Sequence, residues 1–261
     1  MGDIPDSHPR RVSLLARQSL VDAAAEGLLA DSAMIAHGRG EAFDYLLGEA
    51  TSESAMGAIR EVSARLLSAE HPVISVNGNT VVLAGEDLIR IAAVVGCPIE
   101  VNLYYRTPER VLGLLGRLSE QRDAVAVGAA PGGWSGNWKE AVESVALLGE
   151  AANHGIAGLE GPRAMCCWDG IGCADVVLVP LEDGDRCEAL VAAGKQVLAI
   201  DLNPLSRTSM TATVTIVDEV SRASSKLLDQ VVVGGRAPGQ WDNAAALNAA
   251  LDIISDASVD A

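Results

Sequence analysis

Apolar residues first recur at helical spacing along the chain and then condense into short continuous runs. Between Pro9 and Leu29, the residues Val12, Leu15, Val21, Ala24 and Leu28 fall on one face of a helix. Pro9 suits its first turn. A second helical run is expected from about Gly40 to Gly48, with Gly48 as its C-cap. A third, from about Ser52 to Ala69, lines up Met56, Ile59, Val62 and Leu66, and Thr51 or Ser52 would cap it.

The texture changes after His71-Pro72. Runs of β-formers at Val73–Val76, Ile99–Leu103, Val176–Val179, Gln196–Ile200 and Thr213–Val217 predict strands, with a further one around Val145–Leu148. Amphipathic stretches at Glu86–Val95, Thr107–Leu118, Arg186–Ala193 and Glu219–Gln230 predict helices between them, and a last helix spans about Asp242 to Ser255. Continuous apolar strands such as VVLVP belong in a parallel sheet covered on both faces. The expectation is therefore an α/β fold: a Rossmann-like, doubly wound, mainly parallel sheet over residues 71–261, preceded by a helical region over residues 1–70. Between Arg122 and Asn153 the pattern is ambiguous. Pro131 to Trp138 reads as loop, and Ala124–Val127 fits a strand or a helix end.

Composition narrows the function classes. With 261 residues and 49% hydrophobic content, the chain can bury a large core. No run approaches the ~18–20 apolar residues of a membrane span. The polar start MGDIPDSHPRR lacks the apolar centre of a signal peptide, so a soluble cytoplasmic protein is expected. The five cysteines are odd in number, and adjacent Cys166 and Cys167 lack zinc-knuckle spacing, which predicts free thiols. A net charge of −16 opposes binding to nucleic acid or anionic membranes. Only three lysines accompany sixteen arginines. An acidic, lysine-poor surface suits a high-salt cytoplasm; a GC-rich genome would bias the usage in the same direction. The histidines His8, His37, His71 and His154 are too scattered to predict a metal site, and neither a P-loop nor a dinucleotide glycine fingerprint is present.

Candidate chemistry follows the strands. In an open parallel sheet, ligands bind beyond the carboxyl ends of the strands. Here VISV leads into Asn77-Gly78-Asn79, IEV into Asn102 and Arg106, DVVLVP into Glu182-Asp183-Gly184-Asp185-Arg186, VLAI into Asp201-Leu202-Asn203 with Ser206 and Arg207, and VTIV into Asp218. Arg106, Arg186 and Arg207 offer planar forks for phosphate. The asparagines add neutral hydrogen-bonding groups, and Gly78 and Gly184 permit close backbone approach. Arg186 falls in the first turn of a helix, where backbone N–H groups favour anions. Asp183, Asp185 and Asp201 suit ribose hydroxyls or Mg²⁺ reached through water. The glycine-flanked segment from His37 to Glu41 puts Arg39 at an expected helix start, where it would cradle a phosphate. Each element also has a structural role open to it: Asn-Gly as a turn, Asp183 as a helix cap, Arg106 and Arg207 as rim charges. Their coincidence at strand ends predicts a binding site for anionic ligands.

The runs MIAHGRGEAFDYLLGE, HPVISVNGNT, IEVNLYYRTPERV, ADVVLVPLEDGDRCEALVAAGK and VLAIDLNPLSRTSMTATVTIVDEV closely resemble the archaeal phosphopantothenate synthetase family, the 4-phosphopantoate–β-alanine ligases. That resemblance implies an enzyme of coenzyme A biosynthesis joining 4-phosphopantoate to β-alanine, with ATP consumed to AMP and pyrophosphate, Mg²⁺ in support, and a homodimer. By position, ATP would fall to Arg17, Arg39, Asp183, Gly184, Asp185, Arg186, Asp201, Leu202 and Asn203. Phosphopantoate would fall to Asn77, Gly78, Asn79, Asn102, Arg106, Arg163, Ser206 and Arg207. Catalysis would involve Arg39, His37, Asn77 and Arg106. The family pattern carries a histidine after GLE; this chain has Gly161-Pro162-Arg163 there, so Arg163 or His154 would have to cover any role it plays. On the fold alone, a noncatalytic nucleotide-binding module and a small-molecule kinase stay open.

Overall fold

The computed structural model describes residues 4–181 and 183–257. Three helices come first: α1 (Arg11–Ala25), α2 (Asp31–Leu46) and α3 (Glu53–Ser68). Strands and helices then alternate as β1 (Pro72–Val76), α4 (Gly78–Val95), β2 (Ile99–Val101), α5 (Pro108–Val127), α6 (Trp138–Glu143) and β3 (Leu147–Leu148). A short antiparallel ribbon, β4 (His154–Gly155) with β5 (Met165–Cys166), interrupts the alternation. It resumes with β6 (Val176–Pro180), α7 (Gly184–Ala192), β7 (Gln196–Ile200), α8 (Arg207–Thr211), β8 (Val214–Ile216), α9 (Val220–Val233) and α10 (Asn243–Ser255).

The main sheet has six parallel strands in the order β3-β2-β1-β6-β7-β8. Counted along this sheet alone, that is the 3-2-1-4-5-6 order of a Rossmann-like doubly wound fold, with its switch point between β1 and β6. Side chains alternate across it as the pleat requires. Ile74, Val76, Leu178, Leu198, Ile200, Val214 and Ile216 share one core with residues of α3, α4, α5 and α9. Val73, Val177, Val179, Val197 and Ala199 share the other with α7 and Cys166 of the ribbon. Burial on both faces explains why these strands read as continuous apolar runs.

The expected elements are present, with differences at their ends. Helix α2 begins at Asp31, so His37, Gly38, Arg39 and Gly40 lie inside a helix and not in a phosphate-cradling turn. Two glycines, each costing about 1 kcal/mol in a helix interior, masked the helix in the sequence. Helix α4 begins at Gly78, eight residues before the expected start, because Asn77 caps it instead of forming a free turn. Ala124–Val127 is the end of α5. Inside the expected loop, Asn137 caps α6, and buried Trp138 donates from Nε1 to the Val125 carbonyl at 3.2 Å.

Five helices that follow strands or their loops are capped by Asn77, Thr107, Asp183, Ser206 and Glu219. Their N-termini therefore gather at the carboxyl edge of the sheet and give it a positive bias. The chain as a whole carries a net charge of −16. Self-repulsion of that size is screened by salt, so the thermal midpoint should rise by about 5 °C or more between dilute buffer and ~1 M KCl. A midpoint indifferent to KCl would remove repulsion as a determinant of stability. No helix among the described residues is long and apolar enough to cross a membrane.

Candidate functional site

A cavity of about 420 Å³ opens at the switch point. Asn77 holds its two sides together. Its Oδ1 accepts from the Thr80 N–H at 3.1 Å, and its Nδ2 donates to the Leu181 carbonyl beyond β6 at 2.6 Å. The Thr80 hydroxyl donates across the same seam to Pro180 at 3.0 Å. The cap on α4 and the clamp between β1 and β6 are thus one side chain.

Gly78 opens the helix that points at the cavity. A Cβ there would stand 2.5 Å from Leu29 Cδ2, and Leu29 forms part of the roof. Gly78→Ala must displace Leu29 or the start of α4. It is expected to cost about 1–3 kcal/mol by overpacking and to weaken ligand binding. Chemical denaturation would read the first effect and ligand titration the second.

Asn79 is buried, lines the cavity and donates from Nδ2 to the Ala33 carbonyl of α2 at 3.0 Å. Its Oδ1 is shielded from water and has no donor among the described residues.

The far wall is built by Asn102 and Arg186. Arg186 is only 4% exposed. It donates from one nitrogen to Asn102 Oδ1 at 2.7 Å and from the other to the Arg163 carbonyl at 2.8 Å. Beneath them lies Glu100, fully buried in β2. Its carboxylate accepts from the N–H groups of Cys167 and Ile171 at 2.9 and 2.8 Å, fixing the turn that follows β5. Burial pushes the Glu100 carboxyl above its ordinary range, against the pull of those N–H groups and of Arg186.

Arg163 and Arg39 reach the cavity from outside the sheet. Arg163 bonds Asp183 and Asp185, each at 2.9 Å, and its guanidinium sits 5.1 Å from the Tyr104 ring centre. Its partnership with Asp185 leads in holding Arg163 more firmly protonated than usual. The same guanidinium, with that of Arg207, holds the Asp185 carboxyl below its usual range. Arg39 projects from α2 and has no hydrogen bond or ion pair among the described residues.

The remaining expected site residues stand apart from this cavity. Arg17 is paired with Glu41 at 2.7 Å. Arg106 is tied to the carbonyls of Gly149 and Val101. Asp201 closes its own turn, accepting from the Asn203 N–H at 2.9 Å and from the Ser206 hydroxyl. Arg207 bridges Asp185 at 2.6 Å and Glu188 at 2.8 Å. It also packs on Gly184, where a Cβ would come 2.7 Å from Arg207 Cβ. Glu182 lies outside the described residues. His154 packs edge-on against Trp168 at 5.0 Å, away from the cavity, which leaves Arg163 as the side chain from that region lining it.

A second cavity of about 420 Å³ lies beneath α1 and α2, beside the first. The two share Ala36, Asn77, Asn79 and Leu181. His37 and Leu202 line the second. Burial leads in lowering the His37 imidazole below its ordinary value.

Glu100, Arg110 and Leu29 were not among the expected site residues, and Leu28 was expected only on the apolar face of the first helix. A signal for Glu100 existed, since a lone charge inside an apolar strand must be paired. Arg110 and the roof leucines carried none, because only the packing of α1–α2 and α5 brings them to the cavity.

Residues 54–256 match the phosphopantothenate/pantothenate synthetase family. Among curated relatives, a 4-phosphopantoate–β-alanine ligase of Methanospirillum hungatei is 46% identical over 224 residues, covering 86% of this chain and 83% of the relative. Ligases of the same name from Thermococcus kodakarensis and Methanosarcina mazei are 44% and 47% identical, covering 88% and 85% of this chain and 80% and 79% of theirs. With a match across most of its length and a parallel sheet whose switch point carries these residues, the chain belongs to the phosphopantothenate/pantothenate synthetase family.

Proposed function

We propose that this enzyme condenses (R)-4-phosphopantoate with β-alanine to 4′-phosphopantothenate in coenzyme A biosynthesis, consuming ATP to AMP and pyrophosphate. The observation that carries the reading is Arg39: among the described residues its guanidinium has no acceptor, and it lines a cavity together with Asn77, Gly78 and Asn79 at the start of α4 and with Arg110, Arg163 and Arg186. A cavity of that charge suits two anionic molecules held side by side.

In this reading, the phosphate and hydroxyls of phosphopantoate lie against Asn77, Gly78, Asn79 and Asn102, and the triphosphate lies against Arg39, Arg186 and the start of α7 at Asp183–Asp185. The Asp201–Asn203 turn, with Ser206 and Arg207, supports the nucleotide side of the rim. Arg17 reaches the nucleotide on release from Glu41, and Arg106 sets the shape of the loop after β2. The donor set fits Mg²⁺ held chiefly by the triphosphate: Asp183 and Asp185 share one guanidinium at the cavity edge, and the ion usually takes one or two carboxylates plus phosphates.

The carboxylate of phosphopantoate attacks the α-phosphorus of ATP; pyrophosphate leaves and a phosphopantoyl adenylate forms. The amine of β-alanine then displaces AMP. Fixed arginines offset the repulsion between the anions, and juxtaposition supplies much of the rate. An isotope-exchange assay tests the route. Phosphopantoate should promote exchange of labelled pyrophosphate into ATP without β-alanine. Release of ADP would indicate an acyl phosphate or a kinase, and ATP binding without turnover a noncatalytic module.

The proposal extends to a cytoplasmic homodimer, with residues 1–70 as a helical cover over the α/β unit. Val12 and Ile35 on α1 and α2 are 76% and 67% exposed, which supports an interface there.

A further inference from the structure

The proposed reaction brings two polyanions and one zwitterion to the switch point. The polyanions are matched above to Arg39, Arg186 and the starts of α4 and α7. Arg110 is called on by neither. It stands in the first turn of α5, which Thr107 caps, and lines the cavity half-buried. One terminal nitrogen donates to the Tyr105 carbonyl at 3.2 Å, the one bond its side chain makes among the described residues. The ring of Tyr104 meets the Arg163 guanidinium at 5.1 Å. Consecutive residues of the loop after β2 thus contact one arginine each. Arg163 is already paired with Asp183 and Asp185, whereas Arg110 meets no carboxylate among the described residues.

Topology separates this arginine from the nucleotide side. Helix α5 follows β2, α4 follows β1 and α7 follows β6, and the strands run in the order β2-β1-β6. The start of α4 therefore lies between the other two along the sheet edge. One roof spans α5 and α4. A Cβ on Gly113 would come 2.7 Å from Leu28 Cδ2, and one on Gly78 would come 2.5 Å from Leu29 Cδ2. Adjacent leucines thus pack on the two helices, with Arg110 at one side and Asn77–Asn79 at the other, and both leucines line the cavity. A ligand under that roof would need a negative end for Arg110, a short apolar middle for the leucines, and a reactive end at the start of α4. β-Alanine has that form: a carboxylate, two methylenes and an amine.

We propose that Arg110 is the specificity-determining anchor for the carboxylate of the amine substrate, and that the roofed stretch between α5 and α4 leads its nitrogen to the acyl carbon. The inference rests on the ligase reading above. A guanidinium fork matches one carboxylate through two parallel hydrogen bonds. The Tyr105 carbonyl orients the fork beforehand, which lowers the entropy lost on binding. A phosphate, with its larger charge, is better served by Arg39 and the N–H groups at the start of α4. An amine without the carboxylate leaves the half-buried fork without an acceptor, and a site built on such a pair rejects the analogue that lacks it.

The test sets two enzymes against two amines: wild type and Arg110→Gln, each with β-alanine and with β-alaninamide, which has the same length and no negative charge. Wild type should prefer β-alanine by about a hundredfold in kcat/KM. Arg110→Gln should lose about a hundredfold on β-alanine, mostly through KM, and its preference should shrink to about threefold or less. Arg110→Lys keeps the charge without the fork and should recover part of the preference. Phosphopantoate-dependent exchange of pyrophosphate into ATP should stay within about threefold of wild type in Arg110→Gln, because β-alanine takes no part in it. A merely structural role would slow both amines alike, and a hundredfold preference that survives in Arg110→Gln would overturn the proposal. An equal fall in exchange and ligation would also overturn it and give Arg110 to a phosphate. Absence of exchange in wild type would sink the adenylate reading, and the comparison of the two amines would still decide on Arg110.

Discussion

Arg39→Glu is expected to lower turnover by about a thousandfold or more while shifting the thermal midpoint by less than about 2 °C. The two effects separate because of where Arg39 stands. It lies on the exposed side of α2 and forms no bond to the described residues, so folding loses little when its charge is reversed. Among the described residues it has no bonding partner in the cavity, whereas Arg163 is held by Asp183 and Asp185, Arg186 by Asn102, and Arg110 by the Tyr105 carbonyl. A glutamate there would face the triphosphate and the phosphorylated acid. Steady-state kinetics with a melting curve read both quantities, and near-native turnover would remove Arg39 from the site.

Glu100→Ala acts through the fold. It leaves the buried N–H groups of Cys167 and Ile171 without an acceptor, at a cost of about 3 kcal/mol or more. Gly170 packs onto the same carboxylate, so the whole turn after β5 loosens, and Asn102 with Arg186 loses its footing. Glu100→Gln keeps an oxygen and should cost less. Its pH dependence is distinctive. The folded carboxyl titrates above the unfolded value, so its contribution to stability is complete below the unfolded value and is lost as pH rises through the folded one. Glutamine does not titrate. The deficit of Glu100→Gln relative to wild type should therefore be widest in acid and narrow toward neutrality. Urea unfolding of both proteins from pH 4 to 7 would measure it, and a gap that widens with pH would contradict the burial argument.

Much of the architecture was legible because parallel strands buried on both faces leave runs such as VVLVP that admit few other readings. The strand-end motifs were legible for the same reason, since topology dictates where they must go. Their detailed roles were not. Asn77-Gly78 carries the local signature of a turn, and only the approach of Leu29 and the Leu181 carbonyl turns it into a cap and a clamp. The Asp201–Ser206 block looked ligand-facing because its polar atoms are dense, yet those atoms satisfy one another. Arg17 and Arg106 have partners tens of residues distant, which no local pattern discloses. The helix around Arg39 was hidden by its glycines.

A crystal structure of the enzyme with ATP and 4-phosphopantoate together would test the central claim most directly. Both phosphate-bearing molecules should occupy the opening between the ends of β1 and β6, with the Arg39 guanidinium on a phosphate oxygen and the acid against the start of α4. Ligands seated on another face of the protein, or an Arg39 guanidinium that contacts neither bound molecule, would contradict it.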